Sequence, residues 1–310
     1  MAEVDHTVGR RSSSLLGGLR AMRSRAEGIG PLTLITRLVA WRLAALLGFR
    51  PVIVVHDRSR LRIVPARADH GIAKGVFLLR DRYEPSVRAV IDAALRPGDV
   101  ALDIGANMGL WALRMAERVG PSGRVLAFEP GPMTLNRLRD NICLSGFPQI
   151  EVHGIALGAV DGTLTLHTPS DSGSASLGDQ GGAAGTDRVA VRRLDAIWDA
   201  AGRPTVTLMK IDVEGAEPMV LAGAVQLFAA CRPVVCCEIN PLALGVLGFT
   251  PQNVFDFFGA RDYAPMTWDS EHKTLVPLAS EKSPDSVQGT IRDVVFQPGC
   301  PSATLQGGTA

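Results

Sequence analysis

The chain has 310 residues, of which 46% are hydrophobic and 20% charged, and a formal net charge of +1. That is enough apolar mass for one large core and too even a balance for a field-driven binder of nucleic acid. Five cysteines (Cys143, Cys231, Cys236, Cys237, Cys300) with no C-x-x-C spacing argue against a zinc site or disulfide framework and suit a reducing cytoplasm.

The first 50 residues hold eight arginines against three acids, Glu3, Asp5 and Glu27. Residues 1–30, rich in Ser, Gly and Arg, read as mobile. From Leu32 to Leu47 apolar residues recur with a helical rhythm. Such a helix either caps the main domain or rests on a membrane surface through residues 31–49. Arg37 and Arg42 interrupt the run too centrally for a span. Short β-like runs follow at 52–55 and 61–64, then a helical segment over 83–95.

From there strands and helices alternate. Strands are expected at 100–104, 125–128 and 150–157, with helices over 107–119 and 133–144 between them. A short exposed strand at 163–167 precedes a glycine- and serine-rich loop over 170–187, a candidate lid. A strand–helix unit spans 189–200, strands run over 206–211 and 234–239, and helices open at Gly215 and Thr250-Pro251. Closing strands at 263–268, 274–278 and 293–297 complete the pattern before a tail over 299–310. Apolar strands alternating with helices mean a parallel sheet covered on both faces.

The densest chemistry lies at Asp103-Ile104-Gly105-Ala106-Asn107-Met108-Gly109, a strand end turning into a helix. Glycines there let the backbone turn sharply against a ligand, and the helix start offers amides to an anion. The pattern departs from the dinucleotide fingerprint G-x-G-x-x-G, and Asp103 would repel a pyrophosphate. An ammonium would instead attract it, which favours S-adenosylmethionine over NAD. At the end of the next strand Glu129, 24 residues after Gly105, suits the ribose hydroxyls.

Together with Tyr83-Glu84-Pro85, Arg96-Pro97-Gly98-Asp99, Ala127-Phe128-Glu129-Pro130, Ala156-Leu157-Gly158, Arg193-Leu194-Asp195 and the run Lys210-Ile211-Asp212-Val213-Glu214-Gly215-Ala216-Glu217, this motif resembles the FkbM-type methyltransferases from about residue 80 to 240. The resemblance implies an S-adenosylmethionine-dependent O-methyltransferase acting on a sugar or natural product. It also implies a doubly wound, mostly parallel seven-stranded α/β sheet of the Rossmann-like class I methyltransferase kind, here with an N-terminal helical and β extension. The expected organisation is that extension over 1–80, a methyltransferase domain over 81–298 and a flexible tail over 299–310. The resemblance adds Tyr83 and Glu84 over the methionine end of the cofactor, with Ala156 and Leu157 beside its adenine. Asp103, Gly105, Ala106, Asn107, Gly109 and Glu129 complete the expected cofactor set.

Asp212 and Glu214 end an apolar strand and point to one side while the strand continues, and Glu238 ends the next strand. Buried acids are costly unless paired or used, and an alcohol needs its proton accepted before it attacks a methyl group. Asp212, Glu214 and Glu238 are therefore the candidate catalytic groups, with Lys210 the structural partner that could otherwise explain Asp212. Three acids in one cleft would also suit Mg²⁺, but the spacing demands no metal and none is assigned. The expected partner is a small-molecule or glycolipid acceptor. The expected location is the cytoplasm, with peripheral attachment to the inner face of the membrane left open. Two other readings stay open: a cofactor-binding scaffold without turnover, and an NAD-dependent oxidoreductase.

Overall fold

The computed structural model describes residues 29–65, 72–169, 183–269, 271–278 and 292–299. The expected mobile start before residue 29, the lid over 170–182 and the tail after 299 lie outside the described residues. In chain order the elements are α1 (Pro31–Leu47), β1 (Val52–Val55), β2 (Ser59–Arg62), α2 (Ile72–Leu79), α3 (Pro85–Ala94), β3 (Val100–Ile104), α4 (Leu110–Val119), β4 (Arg124–Phe128), α5 (Pro132–Ser145), β5 (Ile150–His153) and β6 (Ala156–Leu157). They continue with β7 (Gly162–Pro169), β8 (Ala183–Arg192), α6 (Leu194–Ala200), β9 (Val206–Ile211), α7 (Glu217–Ala222), α8 (Val225–Cys231), β10 (Val234–Ile239), α9 (Pro241–Val246), α10 (Pro251–Gly259), β11 (Tyr263–Asp269), β12 (Thr274–Pro277) and β13 (Arg292–Pro298).

The central sheet has the order β12-β11-β13-β10-β9-β3-β4-β5. From β10 to β5 all pairs are parallel, and β13, β11 and β12 add antiparallel pairs at one edge. Seven of these strands form the expected doubly wound sheet; β12 is an eighth, at the rim. The chain builds outward from β3 through β4 and β5, then returns to the other side of β3 with β9. That reversal makes a crevice beyond the carboxyl ends of β3 and β9, where ligands bind in open α/β sheets.

Side chains alternate across the sheet. Leu102, Ile104, Met209 and Ile211 pack with α6, α7, α8 and α10 on one face. Ala101, Leu208 and Cys236 pack with α2, α3 and α4 on the other. Asp103 and Lys210 share the parity of that second face and are direct neighbours in register, so two charges enter a buried apolar layer.

Local departures from the sequence pattern have local causes. The helix expected from residue 107 starts at Leu110, because Asn107 and Gly109 adopt left-handed φ of 50° and 93°. The helix expected at Gly215 begins at Glu217 for the same reason, with φ of 53° at Glu214 and 98° at Gly215. The single strand expected over 150–157 breaks at Gly154, where any Cβ would press on Leu135 of α5. Its second half, β6, joins β8 and β7 in a separate three-stranded sheet. Residues 183–187, expected in the lid loop, belong to β8 instead and pair with β7. The pattern does not announce α2, whose eight residues are apolar almost all round because they are buried. Among the described residues no helix is long and apolar enough to cross a membrane.

The β1–β2 hairpin is tied to the sheet layer through Arg114 of α4. That guanidinium, 4% exposed, donates to Asp92 of α3 at 2.7 Å, to Asp57 of the hairpin turn at 2.7 Å and to Glu117 at 2.8 Å. Glu117 in turn accepts from the Ser59 amide at 2.8 Å and its hydroxyl at 2.6 Å. Removing one member of a buried charged set strands the rest. Arg114→Met is expected to lower stability by about 3 kcal/mol, read from the urea midpoint. Asp57→Asn, at an exposed carboxylate, should cost under about 1 kcal/mol; equal losses for both would show that the burial of Arg114 does not matter.

Candidate functional site

The turn after β3 is shaped by what glycine omits. A Cβ on Gly105 would collide with the carbonyl oxygen of Asp212, and its φ is 83°. The Asp212 amide donates to Ile104 O at 3.0 Å, so the ends of β3 and β9 are locked against each other. The amides of Gly105 and Ala106 both donate to Phe128 O, at 3.0 and 2.9 Å. The Asn107 amide donates to Glu129 Oε2 at 2.8 Å. These amides, read from the sequence as open to a ligand carboxylate, therefore hold the end of β4.

Glu129 is 7% exposed. Its Oε1 accepts from the Gly131 amide at 2.9 Å and from the Thr134 hydroxyl at 2.7 Å. Burial raises its pKa against those bonds. With Oε2 holding one amide, one lone pair there remains for a ligand hydroxyl. The cleft beside it is lined by Gly105, Asn107, Phe128, Glu129, Pro130 and Thr134, then by Ala156 and Leu157, and at its far end by Asp212, Val213 and Glu214. Ile72 and Leu166 close its sides. The lining is apolar at Ile155, Ala156 and Leu157 and acidic at Glu129, Asp212 and Glu214.

The acidic end is organised around one ammonium. Lys210 is 4% exposed, and its Nζ lies 2.7 Å from Asp212 Oδ2. Burial opposes its charge, but Asp212, Asp103 and Glu84 outweigh burial and hold its pKa well above the ordinary lysine value. Carboxylate oxygens of Asp212, Glu214 and Glu238 lie within 4.8 Å of one another. Burial first, then the charges of Asp212 and Glu214, push the Glu238 carboxyl up to about 10. Glu238 thus keeps its proton at neutral pH and shares a hydrogen bond with Asp212. Three such oxygens could also hold a divalent cation, although the Lys210 ammonium already neutralises Asp212.

All three acids assigned as catalytic from the sequence come together. Of the expected cofactor residues, Gly105, Asn107, Glu129, Ala156 and Leu157 line the cleft. Ala106 and Gly109 are structural parts of its turn, Ala106 buried and Gly109 left-handed. Asp103 lies behind the turn, 1% exposed, with its carboxylate facing Lys210 and the Ala112 amide and with no side-chain hydrogen bond. Burial lifts its pKa to about 6, with Lys210 pulling it back. Glu84 sits at the start of α3 with φ of 44°, accepts from Trp111 Nε1 at 3.0 Å and bonds the Tyr83 hydroxyl. Tyr83 packs against Gly75 of α2, where any side chain would displace it. Both lie on the Lys210 side, outside the cleft lining. His153 stacks on Phe128, with centroids 4.8 Å apart, and meets Glu151 at 3.1 Å.

Two residues escape the sequence reading. Asp293 stands opposite Glu238 in register, and burial, then Glu84, raise its pKa to about 7. An acid in an apolar closing strand was the available signal, but only the sheet order shows which acid it faces. Glu217 is buried at the start of α7; its Oε1 accepts from the Val213 and Gly215 amides, both at 3.2 Å. It fixes the left-handed turn that presents Glu214.

Residues 103–265 match the family model described as the methyltransferase FkbM domain. The chain is 27% identical over 161 residues to the 2-O-methyltransferase NoeI of Sinorhizobium fredii, covering 47% of this chain and 65% of that protein. It is 29% identical over 178 residues to the 31-O-demethyl-FK506 methyltransferase FkbM of Streptomyces tacrolimicus, covering 47% and 67%. It is 33% identical over 166 residues to the AMB antimetabolite synthetase AmbE of Pseudomonas aeruginosa, covering 42% of this chain and 8% of that protein. The chain thus spans under two thirds of the length of NoeI and of AmbE. A crystal structure of methyltransferase FkbM from Methylobacillus flagellatus aligns at a TM-score of 0.41 and 18% identity, over 72% of this chain and 53% of that one.

The buried carboxylate of Asp103, beside Lys210 but outside the cleft lining, allows binding to be tested apart from folding. Its pKa is raised to about 6 from the ordinary value near 3.8, so the native state binds the proton more tightly and stability falls as pH rises through that window. Asp103→Asn is expected to leave the protein at least as stable at pH 7 and to flatten that pH dependence. It should weaken calorimetric binding of S-adenosylhomocysteine at least about tenfold, or 1.4 kcal/mol. Unchanged affinity would remove Asp103 from the cofactor site.

Proposed function

Because the chain belongs to the methyltransferase FkbM domain family, we propose that it transfers a methyl group from S-adenosylmethionine to a hydroxyl oxygen, on a sugar of a glycolipid or of a glycosylated natural product. The observation that carries this reading is one cleft running from Glu129 to the paired acids Asp212 and Glu214. The cofactor fits the residues present. Glu129 lines the cleft with a lone pair left for a ribose hydroxyl, Ala156 and Leu157 add apolar lining, and Asp103, beside Lys210 behind the turn, adds negative charge. When bound, S-adenosylmethionine supplies a methyl group on a positively charged sulfur.

The chain's own residues would do the rest. Asp212 accepts the proton of the acceptor hydroxyl at the mouth of β9. Lys210, at 2.7 Å, and the protonated Glu238 hold its carboxylate in place. Glu214, set in its left-handed turn by Glu217, faces the same cleft and orients the acceptor's remaining hydroxyls. Glu84 and Asp293 close the side around Lys210. Of the comparisons, NoeI and FkbM are named for methylation at oxygen, which supports oxygen over nitrogen as the acceptor atom. A glycolipid acceptor would bring residues 31–49 against a membrane, at its cytoplasmic face.

Incubation with methyl-labelled S-adenosylmethionine and a panel of glycolipids and glycosides is expected to yield an alkali-stable methyl ether; label only on amines, or none on any sugar, would overturn the reading. Asp212→Asn should lower kcat by about 10²-fold or more with KM little changed. Glu238→Gln, which mimics the neutral acid, should lose less than about tenfold. Losses in the reverse order would make Glu238 the base. Chelation with EDTA should leave the rate intact, since Lys210 already balances Asp212; abolition restored by Mg²⁺ would assign the three acids to a metal.

A further inference from the structure

Helix α1 has two apolar faces. One packs inward: Trp41 and Ala44 are buried, Trp41 meets Phe77 of α2 at 5.4 Å, and Arg37 is pinned to Leu78 O at 2.6 Å. The other face carries Leu32, Ile35, Val39, Leu43, Leu46 and Leu47, each between 51% and 77% exposed. At 100° per residue these six fall within about 60° of one line along the helix. Phe49, Val52 and Val54 prolong it, also exposed. Large exposed apolar patches of this kind mark an interaction surface.

The charges beside the patch are predominantly positive. No acidic residue occurs between Glu27 and Asp57, whereas Arg37, Arg42 and Arg50 do. In the hairpin, Val52 stands opposite Arg62 and Val54 opposite Arg60. Just past α1 a groove is lined by Arg50, Arg62 and Arg137, with Asp140 as its acid; Asp140 is 3.7 Å from Arg62, both well exposed. The groove joins the apolar line at Arg50.

We propose that this surface docks on an anionic lipid bilayer, with the outer face of α1 lying in the interface and the groove arginines contacting lipid phosphates. Two copies meeting through it would bring their arginines together, whereas a bilayer offers apolar depth and negative charge side by side. The surface deepens the partner reading of the glycolipid function yet does not rest on it, since a chain acting on a soluble glycoside would dock in the same way.

Flotation of the full chain with vesicles of phosphatidylcholine, and with vesicles one third phosphatidylglycerol, tests it. Wild-type protein is expected to float with the anionic vesicles and far less with the neutral ones. The pair Arg50→Gln and Arg137→Gln should lose about fivefold per arginine, with melting temperature and S-adenosylhomocysteine affinity unchanged. The pair Leu43→Glu and Leu46→Glu should lose more than about tenfold. Failure of the wild type to float, or flotation of both variants like the wild type, would overturn the proposal. So would a wild-type dimer that ignores vesicles and that the leucine variant turns into a monomer, because the stripe would then join two copies. None of these readouts depends on turnover.

Discussion

A buried ammonium is the constraint around which the site is arranged. Lys210 ends a strand whose other inward residues are apolar, and at 4% exposure it would be untenable without compensating charge. The compensation comes from several elements: Asp103 from β3, Asp212 from the end of β9, and Glu84 from the start of α3. Only Asp212 touches it, at 2.7 Å among the described contacts. The remaining acids act through a medium of low dielectric, in which their charges cost more than in water. Glu238 and Asp293 respond by holding protons. The result is an acid-rich chamber gathered around the Lys210 ammonium.

The backbone supports this arrangement through interlocked turns. Gly105 lets the Asp212 carbonyl approach, Gly215 lets the chain pass against Ala243, and both sit at positive φ. Glu217 holds the second turn from inside by two amide bonds. Beside these glycines Asn107 and Glu214 hold left-handed φ of 50° and 53°, a strain that persists where surrounding structure over-determines it and that concentrates at functional sites. The two turns face each other across the crevice where the winding reverses. Acids from strands remote in sequence are therefore set with little freedom to move.

The N-terminal helix follows a different logic. A helix that buries one apolar face normally offers polar residues to solvent; α1 offers leucines. Its inner face joins the core through Trp41 and, by way of α2, reaches Ile72 at the rim of the candidate cleft. The exposed apolar stripe and the cleft wall thus belong to neighbouring helices of one packed layer.

Much of the candidate site's composition was legible in the order of residues. The glycine turn, the acid at the end of β4, and the charged ending of β9 each state their chemistry locally, because backbone freedom and the cost of burying charge are properties of short segments. The strands were legible because their periodicity is local as well. Sequence could not decide which charges share a space. Asp103 and Lys210 are over a hundred positions apart, and Glu238 meets Asp293 through a strand that arrives late in the chain. Nor could it show that the Gly105, Ala106 and Asn107 amides serve β4, or that α1 turns a second apolar face outward. Those are matters of sheet order and packing. Desolvation and Coulomb interaction depend on distance in space, so the fold alone sets their sum.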